Sequence, residues 1–197
     1  RMDPRQFLQS HIDSGAGVTV AAQPVAIEEA SAFGIVDAGT GGRIRQFHEK
    51  PLEPVAMPTD PTRALASMGN YVFTTDVLID AVARDAASKG SSHDMGGDIV
   101  PLLVSEGNAA VYDFAAQTVP GQSDREHGYW RDVGTIDAYF EASMDLLAED
   151  PVFDLYNAEW PILTRQLQRP PAKFVHKEDD LESRALNSLV CSGAIVA

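Results

Sequence analysis

The sequence predicts an α/β domain with a mostly parallel sheet. Two observations carry this. Runs rich in β-branched and aromatic residues alternate with stretches of helical periodicity, and clusters of Gly, Pro and Asp separate them. Asp3-Pro4 opens the first helix, with Asp as N-cap and Pro at the first helical position. Phe7, Leu8 and Ile12 share one face of it, and Gly15 ends it. Residues 18–25 (VTVAAQPV) read as a strand. Residues 32–37 (AFGIVD) and 43–50 (RIRQFHEK) flank the turn-forming AGTGG and make a hairpin. A loop with Pro51, Pro54, Pro58 and Pro61 follows. A strand over 65–73 leads into a helix from Asp76 to Ala87, with Leu78, Ile79, Val82 and Ala86 inward. Residues 98–107 form a second short helix and 109–116 another strand. Residues 129–133 (YWRDV) form a strand that feeds a long helix from Thr135 to Leu147. Pro151, Pro161, Pro170 and Pro171 then mark a linker. In the closing NSLVCSGAIVA, Leu189 and Ile195 stand six apart, as do Val190 and Val196. That period fits the first coil of a hexapeptide β-helix, and a single ordinary strand fits it equally.

Composition narrows the function classes. Hydrophobic residues make up 44% and charged residues 22%, enough apolar material for a buried core in a soluble protein. A formal net charge of −14 argues against a nucleic-acid or anionic-membrane surface, both of which select excess Lys and Arg. Small anionic ligands remain open, since they need only a few local cations. The single Cys191 rules out an intrachain disulfide and fits a reducing cytoplasm. There is no transmembrane run and no signal peptide. The chain starts without Met and stops in an apolar run, and so reads as an internal piece of a longer protein.

In α/β sheets, ligands sit beyond the carboxyl ends of strands. The hairpin ends in Glu49-Lys50-Pro51, the 65–73 strand carries Ser67, Gly69 and Tyr71, and Asp132 closes the 129–133 run. Gly69 is out of place in a strand unless a ligand or another backbone comes close. A cation, a hydroxyl, a phenol and a carboxylate suit a polar, phosphorylated ligand with a metal. Lys50 can act as a point charge on phosphate. Asp132 is a hard oxygen ligand of the kind Mg²⁺ takes alongside substrate phosphates. Each has a bland alternative. Lys50 alone reads more readily as a solvated lysine, and Asp132 as a charge favouring the next helix N-terminus. Trp130 is more often core than a sugar platform, Ser67 can simply bond backbone, and Asp94 beside Gly is an ordinary turn residue. His11, His48, His93, His127 and His176 show no metal-ligand spacing and read as structural or exposed.

Five motifs occur in one order: EEASAFG (28–34), FHEKP (47–51), ASMGNYVFTTD (66–76), SSHDMGGDIVP (91–101) and YWRDVGTIDAY (129–139). Together they resemble the glucose-1-phosphate adenylyltransferases, the ADP-glucose pyrophosphorylases of bacterial glycogen synthesis. ASMGNYVFTTD resembles a signature of that family, and the likeness continues through DLYNAEWPI (154–162) and PPAKFV (171–175).

The resemblance implies a nucleotidyltransferase, Rossmann-like mixed sheet with helices on both faces, then a linker and a left-handed β-helix. Residues 1–150 would be the sugar-phosphate part of the catalytic domain, 151–185 the linker and 186–197 the first β-helix coil. It implies that Gly34, Glu49, Lys50 and Ser67 contact glucose 1-phosphate, Lys50 through the phosphate and Glu49 through hexose hydroxyls. Tyr71, Asp94, Met95 and Trp130 would line the same pocket, with Met95 standing where some relatives have Phe. Asp132 would be one of two aspartates holding Mg²⁺, and Gly69 would let Ser67 and the backbone crowd the hexose phosphate. The Gly-rich triphosphate loop, the other metal aspartate and the effector-binding basic residues would lie outside this chain, leaving it inactive alone. The implied enzyme is a cytoplasmic, allosterically regulated homotetramer acting on ATP and α-D-glucose 1-phosphate. Its rivals are a nucleotidyltransferase for another sugar or base, a non-catalytic regulatory subunit of the same fold, and a plain sugar-phosphate-binding module.

Overall fold

Helix α1 (Pro4–Ser14) begins and ends where its caps direct. The Asp3 carboxylate accepts the Arg5 N–H at 2.9 Å, and Gly15 closes the helix at φ 59° with its N–H on the Ile12 carbonyl. The computed structural model describes residues 1–165, 167–175 and 183–196. They fall into two units, Met2–Thr118 and Val119–Ala197, the latter including Arg1.

The first unit is built on five strands, β1 (Val18–Ala26), β2 (Gly34–Ala38), β3 (Ile44–Glu49), β4 (Arg63–Phe73) and β5 (Ala109–Asp113), in the order β3-β2-β4-β1-β5. The sheet is mixed, as the resemblance implies, but not mostly parallel. Only β1 and β5 run parallel, while β1–β4, β2–β3 and β2–β4 are antiparallel. The reason is connection length. The β2–β3 turn is too short for a crossover, whereas the β1–β5 pair encloses the helical segments that a parallel return needs. The predicted 109–116 strand stops at Asp113, whose carboxylate accepts the Ala115 N–H at 2.9 Å and turns the chain into a 3₁₀ turn.

Strand alternation assigns the faces. Val18, Val20 and Ala22 join Val36, Phe47 and Ala109 in one core, beneath the helical side chains Ala81, Val100 and Leu103. Ala21 points the other way and packs with Phe7 of α1 and Tyr112. Helices therefore cover both faces. This burial on both sides explains why β1 reads as a continuous apolar run.

Two helix faces differ from expectation. In α1 the buried side chains are Phe7 and His11, while Leu8 and Ile12 are exposed. In α2 (Thr75–Ala86), Ala81 is buried and Val77 packs on the core, while Ile79, Val82 and Ala86 face outward. The backbone seat decides this rotation. The Thr74 N–H donates to the Gly17 carbonyl at 3.0 Å, and Val77 lies so close to Gly17 that a Cβ there would stand 2.7 Å from it.

His11 is buried between two hydroxyls, Nδ1 being 2.8 Å from Thr19 Oγ1 and Nε2 3.2 Å from Thr74 Oγ1. Burial lowers its pKa below the ordinary 6.5. The unfolded chain then binds this proton more readily, so the imidazole's contribution is present above pH 6.5 and is lost as pH falls below it. Between pH 7.5 and 5.5, the urea midpoint should fall further for the natural protein than for His11→Gln. Equal losses would show that His11 titrates as it does in the unfolded chain.

In the second unit, residues 129–133 are not a strand. Their aromatic and β-branched content favours a strand only where a partner ladder receives it, and among the described residues none does. Helix α4 (Ile136–Asp145) follows, with Thr135 as N-cap accepting the Ala138 N–H at 3.1 Å. Inside the predicted linker, β6 (Lys173–Phe174) pairs in parallel with β7 (Ile195–Val196). Leu189 and Ile195 are exposed, so the six-residue period does not by itself make a buried coil.

Candidate active site

Four predicted residues sit on one face of the sheet for a simple reason. Phe47 and Val36 point into the core under the helices, so Glu49 and Gly34, each two residues away, point the same way. Gly34 pairs directly with Glu49 across β2–β3, and the next β2 residue, Ile35, pairs with Ala66 of β4. Ser67 thus lies beside Gly34, at the level of the Glu49 side chain. Tyr71, four residues on, keeps the same face across a bulge in β4, because the bulge adds an even number of residues. Val20 pairs with Tyr71 and Ala22 with Ser67, so three β4 residues stand opposite Ala21 alone. Gly69 is the residue that permits this bulge, at φ 70°, with its N–H on Ser67 Oγ at 3.2 Å. Among the described residues a Cβ at Gly69 would meet nothing, so within the protein the demand for glycine here is conformational.

The Glu49 carboxylate occupies a notch made by two other glycines. A Cβ at Gly34 would stand 2.9 Å from Glu49 Oε2, and a Cβ at Gly96 would also stand 2.9 Å from it. Neither glycine has a left-handed backbone, so their identity is a matter of space. Gly96 lies in a π turn (Met95–Ile99) that opens helix α3 (Val100–Ser105). Asp94 caps that turn, its Oδ1 accepting the Gly97 N–H at 2.6 Å. Burial raises the Tyr71 pKa, opposed by a hydrogen bond with Ser67 and assisted by the Glu49 and Asp94 carboxylates. At neutral pH Tyr71 is therefore a phenol able to donate, set among two carboxylates and a hydroxyl.

Lys50 follows Glu49 with its Nζ 3.8 Å from Glu49 Oε1, and its side chain is 66% exposed. Its φ of 46° is unusual for a residue with a Cβ. Such backbone strain concentrates at sites where function holds it in place. The Lys50 N–H donates to the Phe33 carbonyl at 3.1 Å, which ties the turn to β2.

The other predicted residues are placed differently. Met95 lines a separate cavity of about 250 Å³ with Val82, His93 and Ile99. Trp130 and Asp132 belong to the second unit. There Trp130 lines a cavity of about 280 Å³ with Tyr129, Arg131, Leu146 and Phe153. Asp132 is exposed, and its Oδ2 accepts the Gly134 N–H at 3.2 Å, a local turn and not a helix cap. Among the described residues, no group of three or more His, Cys, Asp or Glu side chains could hold a metal.

Gly96 went unrecognised in the sequence. The available signal was the doubled glycine of DMGGD beside an Asp, which reads as a turn until the Glu49 side chain is seen against it.

Residues 1–149 match the family model for nucleotidyl transferases. The chain belongs to the nucleotidyl transferase family. This nucleotidyl transferase chain is 57% identical to the glucose-1-phosphate adenylyltransferase of Frankia casuarinae, across 100% of its own length and 48% of the relative's. It is 55% identical to the enzyme of that name from Nocardia farcinica and 54% identical to that of Mycolicibacterium smegmatis, with the same coverage in each case. The chain thus spans about half the length of the curated relatives it matches. No helix among its described residues is long and apolar enough to cross a membrane.

Proposed function

We propose that the protein containing this nucleotidyl transferase chain makes ADP-glucose from ATP and α-D-glucose 1-phosphate, releasing pyrophosphate. The observation that carries this is the Glu49 carboxylate seated against Gly34 and Gly96, with the Tyr71 phenol and Lys50 beside it. A carboxylate in a glycine-walled notch accepts from vicinal hexose hydroxyls, a neutral phenol donates, and a lysine at the rim meets the phosphate. The names of the relatives supply the sugar and the nucleotide.

In this reading a phosphate oxygen of glucose 1-phosphate attacks the α-phosphorus of ATP in line. The bond to the pyrophosphate oxygen breaks, and pyrophosphate leaves. No side chain need exchange a proton, so the residues contribute position and charge. Lys50 orients the attacking phosphate, Glu49 fixes the hexose, and Tyr71 and Ser67 complete its hydrogen bonds. Asp132 is the residue here that fits Mg²⁺, offering a solvent-facing carboxylate whose Oδ1 has no partner among the described residues. One carboxylate suits a cation whose other ligands are substrate phosphates and further donors. When bound, the ion would neutralise charge on the phosphates. The product then serves glycogen or α-glucan synthesis in a cytoplasmic, allosterically regulated homotetramer, as the family resemblance implies.

The test is a substrate panel with the intact protein, Mg²⁺, ATP or UTP, and several hexose 1-phosphates. ADP-glucose should be the fastest product, and preference for another sugar or nucleotide would overturn the reading. Gly96→Ala adds a structural arm. Its new methyl crowds the end of the Glu49 side chain, which can swing away, and stands at an ordinary 3.5 Å from Asp94 Oδ1, so the melting temperature should hold. The displaced carboxylate should raise the KM for glucose 1-phosphate about tenfold, the worth of one charged hydrogen bond. An unchanged KM would remove Glu49 from the sugar site.

A further inference from the structure

The turn that carries Asp94 and Gly96 is held from behind by a side chain that touches neither Asp94 nor Glu49. Asp85 lies in the last turn of α2, its side chain only 10% exposed. Its Oδ1 accepts the Ser91 hydroxyl at 2.5 Å, and its Oδ2 lies 2.7 Å from His93 Nδ1. Ser91 Oγ in turn accepts the His93 N–H at 2.9 Å. These bonds enclose a residue in an unfavourable conformation, since His93 has a φ of 59°. The next residue is Asp94. Its N–H and that of Ser92 both donate to Asp98 Oδ2, at 3.0 and 3.1 Å. The backbone therefore leaves α2, is bent left-handed at His93, and delivers Asp94 to the cap of the π turn and Gly96 to the Glu49 notch.

A left-handed residue with a Cβ persists only where its surroundings over-determine it. Here Asp98 holds the amides on either side of His93, and Asp85 bonds to Ser91 and to the His93 ring itself. We infer that Asp85 is a positioning residue for the sugar-phosphate site, holding the 91–94 turn in the bend that sets Asp94 and Gly96 against Glu49. The inference rests on the function proposed above. Hydrogen bonds from Ser91 and His93 hold the Asp85 carboxyl below its usual range, consistent with a carboxylate that stays charged in this role.

The test uses the intact protein and a rescue. Asp85→Ala should raise the KM for glucose 1-phosphate about tenfold, as loss of a charged hydrogen bond implies, with little change in the KM for ATP. Glycine adopts φ 59° without penalty, so the double variant Asp85→Ala with His93→Gly should recover part of the lost affinity. Amide exchange provides a readout that needs no substrate. The Ser92 and Asp94 N–H groups should exchange faster in Asp85→Ala and slow again in the double variant. Faster exchange with rescue, in a protein that makes no ADP-glucose, would overturn the function and keep the positioning role. A uniform fall in melting temperature with no KM split, or no rescue by glycine, would reduce Asp85 to a residue that merely stabilises α2.

Discussion

Replacing Asp132 by Asn should lower kcat of the intact protein about 100-fold or more while leaving its melting temperature unchanged. The size follows from the proposed role. Loss of a charged ligand to a cation worth several kcal/mol at the reacting phosphates removes at least two factors of ten. The structure sharpens the contrast with the bland reading, in which Asp132 only favours the start of α4. Thr135 is the N-cap of α4, and among the described residues Asp132 bonds only the Gly134 N–H, at 3.2 Å. Asn keeps an oxygen for that turn, so the fold has little to lose. A paired measurement of melting temperature and kcat across a Mg²⁺ titration decides the matter. Near-native kcat refutes the metal role. Collapse at constant melting temperature, with partial rescue by high Mg²⁺, supports it.

Lys50→Ala should raise the KM for glucose 1-phosphate by about 10- to 150-fold and leave the KM for ATP nearly unchanged. A hydrogen bond to a charged group contributes roughly 1.5–3 kcal/mol, and each 1.4 kcal/mol is about tenfold. The side chain is 66% exposed, and its ion pair with Glu49 is long at 3.8 Å, so stability should barely respond. The φ of 46° adds a control. Lys50→Gly relieves backbone strain where Lys50→Ala does not, yet both remove the charge. Matching KM values in the two variants assign the loss to the charge. A defect in Ala that Gly repairs assigns it to the backbone, and equal effects on both substrates remove the phosphate role.

The readable part of the site was its strand-end chemistry. Glu49, Ser67 and Tyr71 converge because two-residue alternation projects them to one face, and alternation is visible in sequence once the strands are placed. Gly69 was noticeable, but its structural part was not legible. Its place in the sequence suggested close approach by a ligand, and the structure adds that it permits a bulge, which depends on how many residues the partner strand sets opposite. Gly96 and Asp85 were invisible because each acts on a residue brought to it by the fold. The same limit explains YWRDV, whose strand-forming composition met no ladder, and α2, whose rotation was set by Val77 packing on Gly17.

What sequence alone determined was local and periodic: the caps of α1, the β2–β3 hairpin, the order of strands and helices as far as β5, and the motifs that carry the family likeness. These depend on neighbours within a few residues, where backbone sterics and hydrogen-bond geometry are nearly independent of the rest of the chain. Tertiary structure decided strand direction, which helix faces are buried, and the notch in which Gly34 and Gly96 meet one carboxylate. Those are contacts between residues distant in sequence, where close packing admits one arrangement and no local propensity encodes which side chain arrives.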